Sequence, residues 1–240
     1  MSSFNGNYIW KDGSDIYYSY YSAQYIFDKE ASTWIPKVWN GFTDFSGSSI
    51  WTDGINIYSS NSSHQYFLDR ETETWVAMTW NGFTDLRNGN TWSDGTNIYY
   101  SYSSNQYVLD KATSTWVTKT WNGDTTKPTG SNIWTDGENI YYSSLSKHYV
   151  LDVATSTWTT KTWTGLTRFS GSYIWTDGTN IYYSEGSSQY TLDKATSTWV
   201  YSPWDSLSDF TAQQIWFDGE YLCYSKGLEQ YKLALVKVDL

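Results

Sequence analysis

A tryptophan followed two residues later by Asp-Gly recurs along this chain, and its recurrence leaves few folds open. The tryptophan of this Trp-x-Asp-Gly phrase stands at Trp10, Trp51, Trp92, Trp134, Trp175 and Trp216, so successive copies lie 41, 41, 42, 41 and 41 residues apart. A second tryptophan follows at Trp34, Trp75, Trp116, Trp158 and Trp199, and a third at Trp39, Trp80, Trp121, Trp163 and Trp204. Repeats of this length mark architectures in which one small unit cannot bury its apolar faces alone and stacks on its neighbours. Six such units fill the 240 residues.

Each unit divides into four short runs separated by turn chemistry. In the fifth copy these are 172–175, 180–184, 189–193 and 198–204. Asp177-Gly178 ends the first, and a turn through Lys194-Ala195-Thr196-Ser197 precedes the last. An Asp-Gly pair between β runs is a strong hairpin signal because glycine accepts positive φ. The chain is 20% aromatic, with 16 Trp and 23 Tyr, residues that suit a pleated, half-buried surface. No window shows helical periodicity. The pattern predicts an all-β six-bladed β-propeller, four antiparallel strands per blade, as a single domain over 1–240. Its repeats fall at 4–44, 45–85, 86–127, 128–168, 169–209 and 210–240. A two-sheet sandwich gives no reason for six near-equal units. A propeller also blurs the alternation along strands, since blades are covered on both sides. Each recurrent tryptophan then buries about 150–250 Å², worth roughly 4–6 kcal/mol as an upper bound, and reads as core.

The last repeat is short of its pattern. Tyr231 aligns with Tyr190, Ala234 replaces the recurrent aspartate, and Leu240 falls where Trp199 stands. A three-stranded last blade is expected, with 229–240 as its outer edge. The chain is expected to be a monomer, with edge-mediated pairing of two copies through 229–240 as the alternative.

Asp110-x-x-Thr113-x-x-Trp116, Asp152-x-x-Thr155-x-x-Trp158 and Asp193-x-x-Thr196-x-x-Trp199 resemble the kelch repeat. So do the Ile-Tyr pairs at Ile16-Tyr17, Ile57-Tyr58, Ile98-Tyr99, Ile140-Tyr141 and Ile181-Tyr182. The kelch double glycine is reduced here to Gly186 and Gly227. The resemblance implies a kelch-like propeller. Some kelch-type oxidases use a cross-linked cysteine and tyrosine, but Cys223 takes the place of Tyr17, Tyr58, Tyr99, Tyr141 and Tyr182, which marks a packing position.

Charge narrows the partners. The net charge is −10 and the 15 Lys and Arg are scattered rather than gathered in a stripe, which argues against nucleic acid and against anionic membranes. No run of 18 apolar residues is present, no export signal is expected from the start Met1-Ser2-Ser3-Phe4-Asn5, and a single cysteine rules out an internal disulfide framework. A cytoplasmic location is expected.

Sites are sought where the repeats disagree, because symmetry marks framework. His148 replaces Gln24, Gln65, Gln106, Gln189 and Gln230 and reads as structural. Two His and one Cys supply too few ligands for a transition-metal site, so no metal, cofactor or catalytic residue is expected. The recurrent aspartates, such as Asp94 and Asp110, occupy turn positions. By contrast, the connections between the second and third strands and those between repeats vary, and alternating strand direction places both kinds at one end of a blade. The candidate binding face is Tyr20, Tyr21, Phe42, Asp44, His64, Phe83, Arg87, Tyr102, Lys127, Lys147, Arg168, Phe169, Glu185 and Asp209. Loops on a rigid scaffold commonly carry function, and exposed aromatic and arginine side chains suit recognition. The expected function is a non-enzymatic module holding a protein segment. The alternatives are a carbohydrate-binding propeller with repeated aromatic pockets, a sugar-isomerase or lyase, and a recently amplified or engineered scaffold without a ligand.

Overall fold

The computed structural model describes residues 9–203 and then 214–217, 221–226 and 229–234, with short breaks at 21, 42–44, 46–48, 54, 62–63, 84–85, 87–88, 103–104, 124–131, 172–173, 177–178 and 187. Only the backbone is described for residues 20, 49 and 61 and, beyond 203, for all but Tyr221 and Cys223. The described residues are all-β, in small sheets of the propeller-blade type. They group into two compact units, Met1–Met78 with Thr211–Leu240, and Thr79–Phe210. None of the described residues forms a helix long and apolar enough to cross a membrane.

The first unit holds blade one, β1 (Ile9–Asp12), β2 (Asp15–Tyr20), β3 (Ala23–Asp28) and β4 (Thr33–Pro36), and blade two, β5 (Ser49–Thr52), β6 (Ile57–Asn61), β7 (His64–Asp69) and β8 (Thr74–Met78). The second unit opens on β9 (Asn81–Gly82), then blade three, β10 (Asn90–Ser93), β11 (Ile98–Tyr102), β12 (Asn105–Asp110) and β13 (Thr115–Thr118). After β14 (Asn122–Gly123) comes blade four, β15 (Ile133–Thr135), β16 (Ile140–Ser144), β17 (Lys147–Asp152) and β18 (Thr157–Thr160). Blade five is β19 (Ile174–Thr176), β20 (Ile181–Glu185), β21 (Ser188–Asp193) and β22 (Thr198–Tyr201). The first unit is completed by β23 (Gln214–Phe217), β24 (Tyr221–Lys226) and β25 (Glu229–Ala234).

The expectation of six blades is corrected: five blades are complete, and the last repeat, for which three strands were expected, contributes among the described residues the three-stranded sheet β23-β24-β25. Four antiparallel strands per blade is corrected as well. Two sheets are also five-stranded, because β9 pairs in parallel with β13 and β14 in parallel with β18. Isolated parallel bridges, Asn40 to Thr74 and Thr164 to Thr198, make the same contact on blades two and five. At these described joints the end of one repeat therefore belongs to the outer edge of the following blade.

This joint explains the third tryptophan, which does not extend the outer strand as its spacing suggested. The expected run 198–204 ends as a strand at Tyr201. At the joints after blades one, three and four the chain leaves the blade, inserts its third tryptophan into the core and crosses over. Trp121 lies 5.7 Å from Trp92 and 6.0 Å from Trp158. Trp163 stands at 5.6 Å and 6.1 Å from Trp134 and Trp199, and Trp39 at 6.1 Å and 6.4 Å from Trp10 and Trp75. Each triad takes its first tryptophan from one blade, its third from the joint and its second from the next blade. Tilted and edge-on aromatic pairs of this kind contribute about 0.5–1.5 kcal/mol beyond area burial. The glycine that follows is required: a Cβ on Gly123, at φ +88°, would stand 2.2 Å from the Trp158 carbonyl oxygen, and Gly41, Gly82 and Gly165 meet the next blade in the same way. A lysine completes the clasp. Lys119 Nζ sits 4.7 Å above the Trp121 ring and donates to Ser156 Oγ at 2.7 Å, and Lys161 does the same with Trp163 and Ser197.

In blades one and three a buried relay fixes the inner strands. Trp10 Nε1 donates to Ser19 Oγ at 2.9 Å, which donates to Gln24 Oε1 at 2.6 Å. Trp92, Ser101 and Gln106 repeat it at 2.9 and 2.5 Å. The recurrent aspartates are turn braces. Asp94 accepts the Thr96 and Asn97 amides and, at 2.7 Å, the Tyr99 hydroxyl. Asp136 does likewise with Glu138, Asn139 and Tyr141. Burial pushes the Asp94 and Asp136 carboxyls up, but these donors outweigh it and hold both below the ordinary carboxylate range. The second set is pulled down chiefly by threonine hydroxyls: Asp69 by Thr72, Asp110 by Thr113, Asp152 by Thr155 and Asp193 by Thr196.

Candidate functional site

In the unit 79–210, two kinds of variable connection meet at one end of the blades. The β11–β12 hairpin turns at Tyr102 and Asn105, β16–β17 at Ser144 and Lys147, and β20–β21 at Glu185 and Ser188. The joint loop that follows blade four returns to the same end. There the Phe169 amide donates to the Leu145 carbonyl at 2.9 Å, and His148 Nε2 lies 3.2 Å from the Thr167 carbonyl oxygen. Arg168 stands between those two anchored residues and is exposed, as is Lys147. The result is a solvent-facing patch of Leu145, Lys147 and Arg168 on a backbone pinned from both sides.

Leu145 lies in one of the variable connections but was not among the candidate residues. It is 54% exposed and holds φ at +54° at the tip of a two-residue hairpin loop. In blade five the same place is taken by Gly186, at φ +59°. A γ-branched side chain in the left-handed region is uncommon, and backbone strain of this kind gathers at functional sites. The signal was present in the repeat alignment as a leucine where another copy keeps glycine.

Phe169 requires a correction. It is 1% exposed and belongs to the core of Trp134, Tyr141, Trp163, Ile181, Tyr183, Leu192 and Trp199. Its ring meets Trp199 at 5.3 Å and Tyr183 at 5.7 Å, and His148 stacks on it at 4.2 Å. Phe45 and Leu86 occupy the corresponding position and are equally buried. This position plugs the joint, and the hydrophobic residue that looked like part of a recognition loop is framework. Burial also holds the His148 imidazole below its ordinary range, against the opposing contact with Thr167.

The remaining candidates separate into several groups. Tyr102 is 41% exposed at its hairpin end. Phe83 is half-buried, stacked on Tyr107 at 4.3 Å and tilted toward Tyr100 at 5.2 Å. Glu185 is exposed and accepts the Tyr183 hydroxyl. In the other unit, His64 is exposed opposite Asn61 at the β6–β7 turn, and Tyr20 is placed by its backbone at the end of β2. Tyr21, Phe42, Asp44, Arg87, Lys127 and Asp209 lie outside the described residues. Cys223 is buried against Ile16 and Phe27. Among the described residues no three His, Cys, Asp or Glu side chains converge as metal ligands would.

No family model matches the chain, and no curated protein matches it. The blades are of the β-propeller type, and the kelch likeness rests on residue spacing alone.

Proposed function

We propose that the chain is a non-enzymatic binding module, and that the loop end of the blades in the unit 79–210 receives an extended segment of a protein partner. The observation that carries this reading is Leu145, an exposed apolar side chain held at positive φ beside Lys147 and Arg168 on a braced backbone. An apolar anchor flanked by cations suits a segment with one apolar side chain next to acidic ones, since a few buried anchors commonly dominate binding. Tyr102 extends the same kind of surface on blade three.

A displayed peptide library panned against the protein tests the proposal. Selected peptides should be acidic with an apolar residue. They should lose about tenfold or more in affinity, 1.4 kcal/mol, when Leu145→Gly and Arg168→Ala are combined, with the melting temperature held or raised. Selected peptides indifferent to both changes would refute the assignment. Sugar binding at several blades would replace it with the carbohydrate reading.

A further inference from the structure

Blade four departs from its neighbours at one buried position, and the departure reaches the loop patch. Where blades one, two, three and five carry the buried Gln24, Gln65, Gln106 and Gln189, blade four carries His148, 6% exposed. In blades one and three that glutamine closes the relay by accepting a serine hydroxyl. His148 pairs with the equivalent Ser143 across the strands, but its ring serves the joint loop instead. Nε2 lies 3.2 Å from the Thr167 carbonyl oxygen, and the ring stacks on Phe169 at 4.2 Å. The loop has a second tie to the β16–β17 hairpin, the Phe169 amide on the Leu145 carbonyl. Exposed Arg168 is held between the two ties.

A carbonyl oxygen only accepts, so Nε2 carries the imidazole proton and Nδ1 presents a lone pair. Nδ1 is buried and has no hydrogen-bond partner among the described residues. A second proton would sit there with nothing to receive it, in a site that burial already makes hostile to charge. The surrounding charges do not rescue it. Lys147 precedes it on β17, Asp152 lies at the far end of that strand, and β16 carries no charged side chain. Lys161 gives its backbone amide to the His148 carbonyl, but its ammonium is drawn to Ser197 and the Trp163 ring. Arg168 follows Thr167 in the loop. Glu185, at the end of β20, already accepts the Tyr183 hydroxyl.

On the reading of Leu145, Lys147 and Arg168 as a binding site, we propose that His148 is a proton-operated latch on that site. The neutral ring holds the joint loop to the β16–β17 hairpin, and protonation frees the loop and weakens capture of the acidic segment. Because burial favours the neutral ring, the latch is closed at neutral pH and opens as pH falls below about 6.5. A freed imidazolium is screened by water and draws an acidic segment only weakly. The lost positioning of Leu145 and Arg168 therefore decides the direction. One proton is involved, so affinity falls by at most about tenfold per pH unit.

Two measurements on the intact protein test the latch. Without peptide, amide hydrogen exchange at about pH 7.5 and 5.5 reads the protection factor of the Phe169 amide. It should fall about tenfold relative to that of the Lys119 amide, which rests on Gln106 in blade three. The fall should vanish in His148→Gln. With the acidic peptides selected on the protein, fluorescence anisotropy should show affinity dropping about tenfold over the same range, with a flat profile in His148→Gln. The peptide carboxylates, at about 3.9 and 4.3, stay ionised throughout. Unchanged Phe169 protection in the parent overturns the latch even where peptides bind well. So does affinity that holds or rises on acidification, or that drops as steeply in His148→Gln. Peptides indifferent to Leu145→Gly with Arg168→Ala overturn the site reading instead, and the Phe169 protection still decides whether His148 latches the loop.

Discussion

Replacing Phe169 with alanine separates packing from recognition at the loop end of the second unit. The ring is 1% exposed and touches Trp163, Tyr183, Trp199 and His148. Truncation removes the transfer energy of a buried phenyl group, leaves a cavity and forfeits edge-on contacts, for a cost of about 3–5 kcal/mol. At about 2–4 °C per kcal/mol for a chain of this size, the melting temperature should fall by roughly 6–20 °C. Phe169→Leu is the internal control, because Leu86 fills the corresponding place with the same burial; it should cost less than about 1.5 kcal/mol. Arg168→Ala, one residue away and exposed, should stay within about 0.5 kcal/mol. Tryptophan fluorescence and near-UV circular dichroism during urea and thermal melts read all three. A Phe169→Ala protein within about 1 kcal/mol of the parent would refute the assignment of this side chain to the joint core, as would Arg168→Ala proving equally costly.

Further outcomes follow from the joints and the buried titratable groups. Gly123→Ala, at φ +88° and 2.2 Å from the Trp158 carbonyl oxygen, should cost about 2 kcal/mol or more, seen as a lower urea midpoint. His148 is held below its ordinary range by burial, so its contribution is complete above about pH 6.5 and is lost as pH falls through that value. The urea midpoint should drop between about pH 7 and 5, and His148→Gln, the residue of the other blades, should flatten that slope. The Tyr17 and Tyr58 hydroxyls are pushed up to about 12, first by burial and then by Asp15 and Asp53 respectively. Their stabilisation is intact below about pH 10 and disappears as pH rises through 12; near-UV tyrosinate absorbance should show a late-titrating class that vanishes in urea.

The blades were legible because their signals are local. Asp-Gly turns, Ile-Tyr pairs and Asp-x-x-Thr turns each act within a few residues, and the observed strands fall on the runs they delimit. The joint was not legible for the opposite reason. Trp121, Asn122 and Gly123 follow β13 directly, so they look like its continuation, and only the contact with β18, some thirty-five residues later in sequence, shows otherwise. The count of complete blades fell to five because the last repeat, whose pattern is broken at Ala234 and Leu240, contributes a three-stranded sheet among the described residues. At the candidate site, Arg168 and Phe169 look alike to a reading that scores variability in loops. What separates them is the direction of one side chain toward Trp199.

The joints also change what repetition means for this chain. Within each unit the described joints lend the last residues of one repeat to the following blade, so those blades are interlocked rather than merely stacked, and a substitution at one joint weakens two sheets at once. That interlocking favours a single rigid arrangement in each unit, and rigidity allows strain to persist at a loop tip. Leu145 shows the consequence. Its left-handed backbone costs about 1–2 kcal/mol relative to an unstrained residue, and blade five shows that glycine fits the same turn. Ser32, Glu73, Ser114, Ser156 and Ser197 also hold positive φ, but these polar residues close the turn before the fourth strand, repeat after repeat, whereas Leu145 is the one apolar side chain among them and stands where blade five uses glycine. An exposed apolar side chain kept at such a place is the pattern expected where function, not folding, has set it.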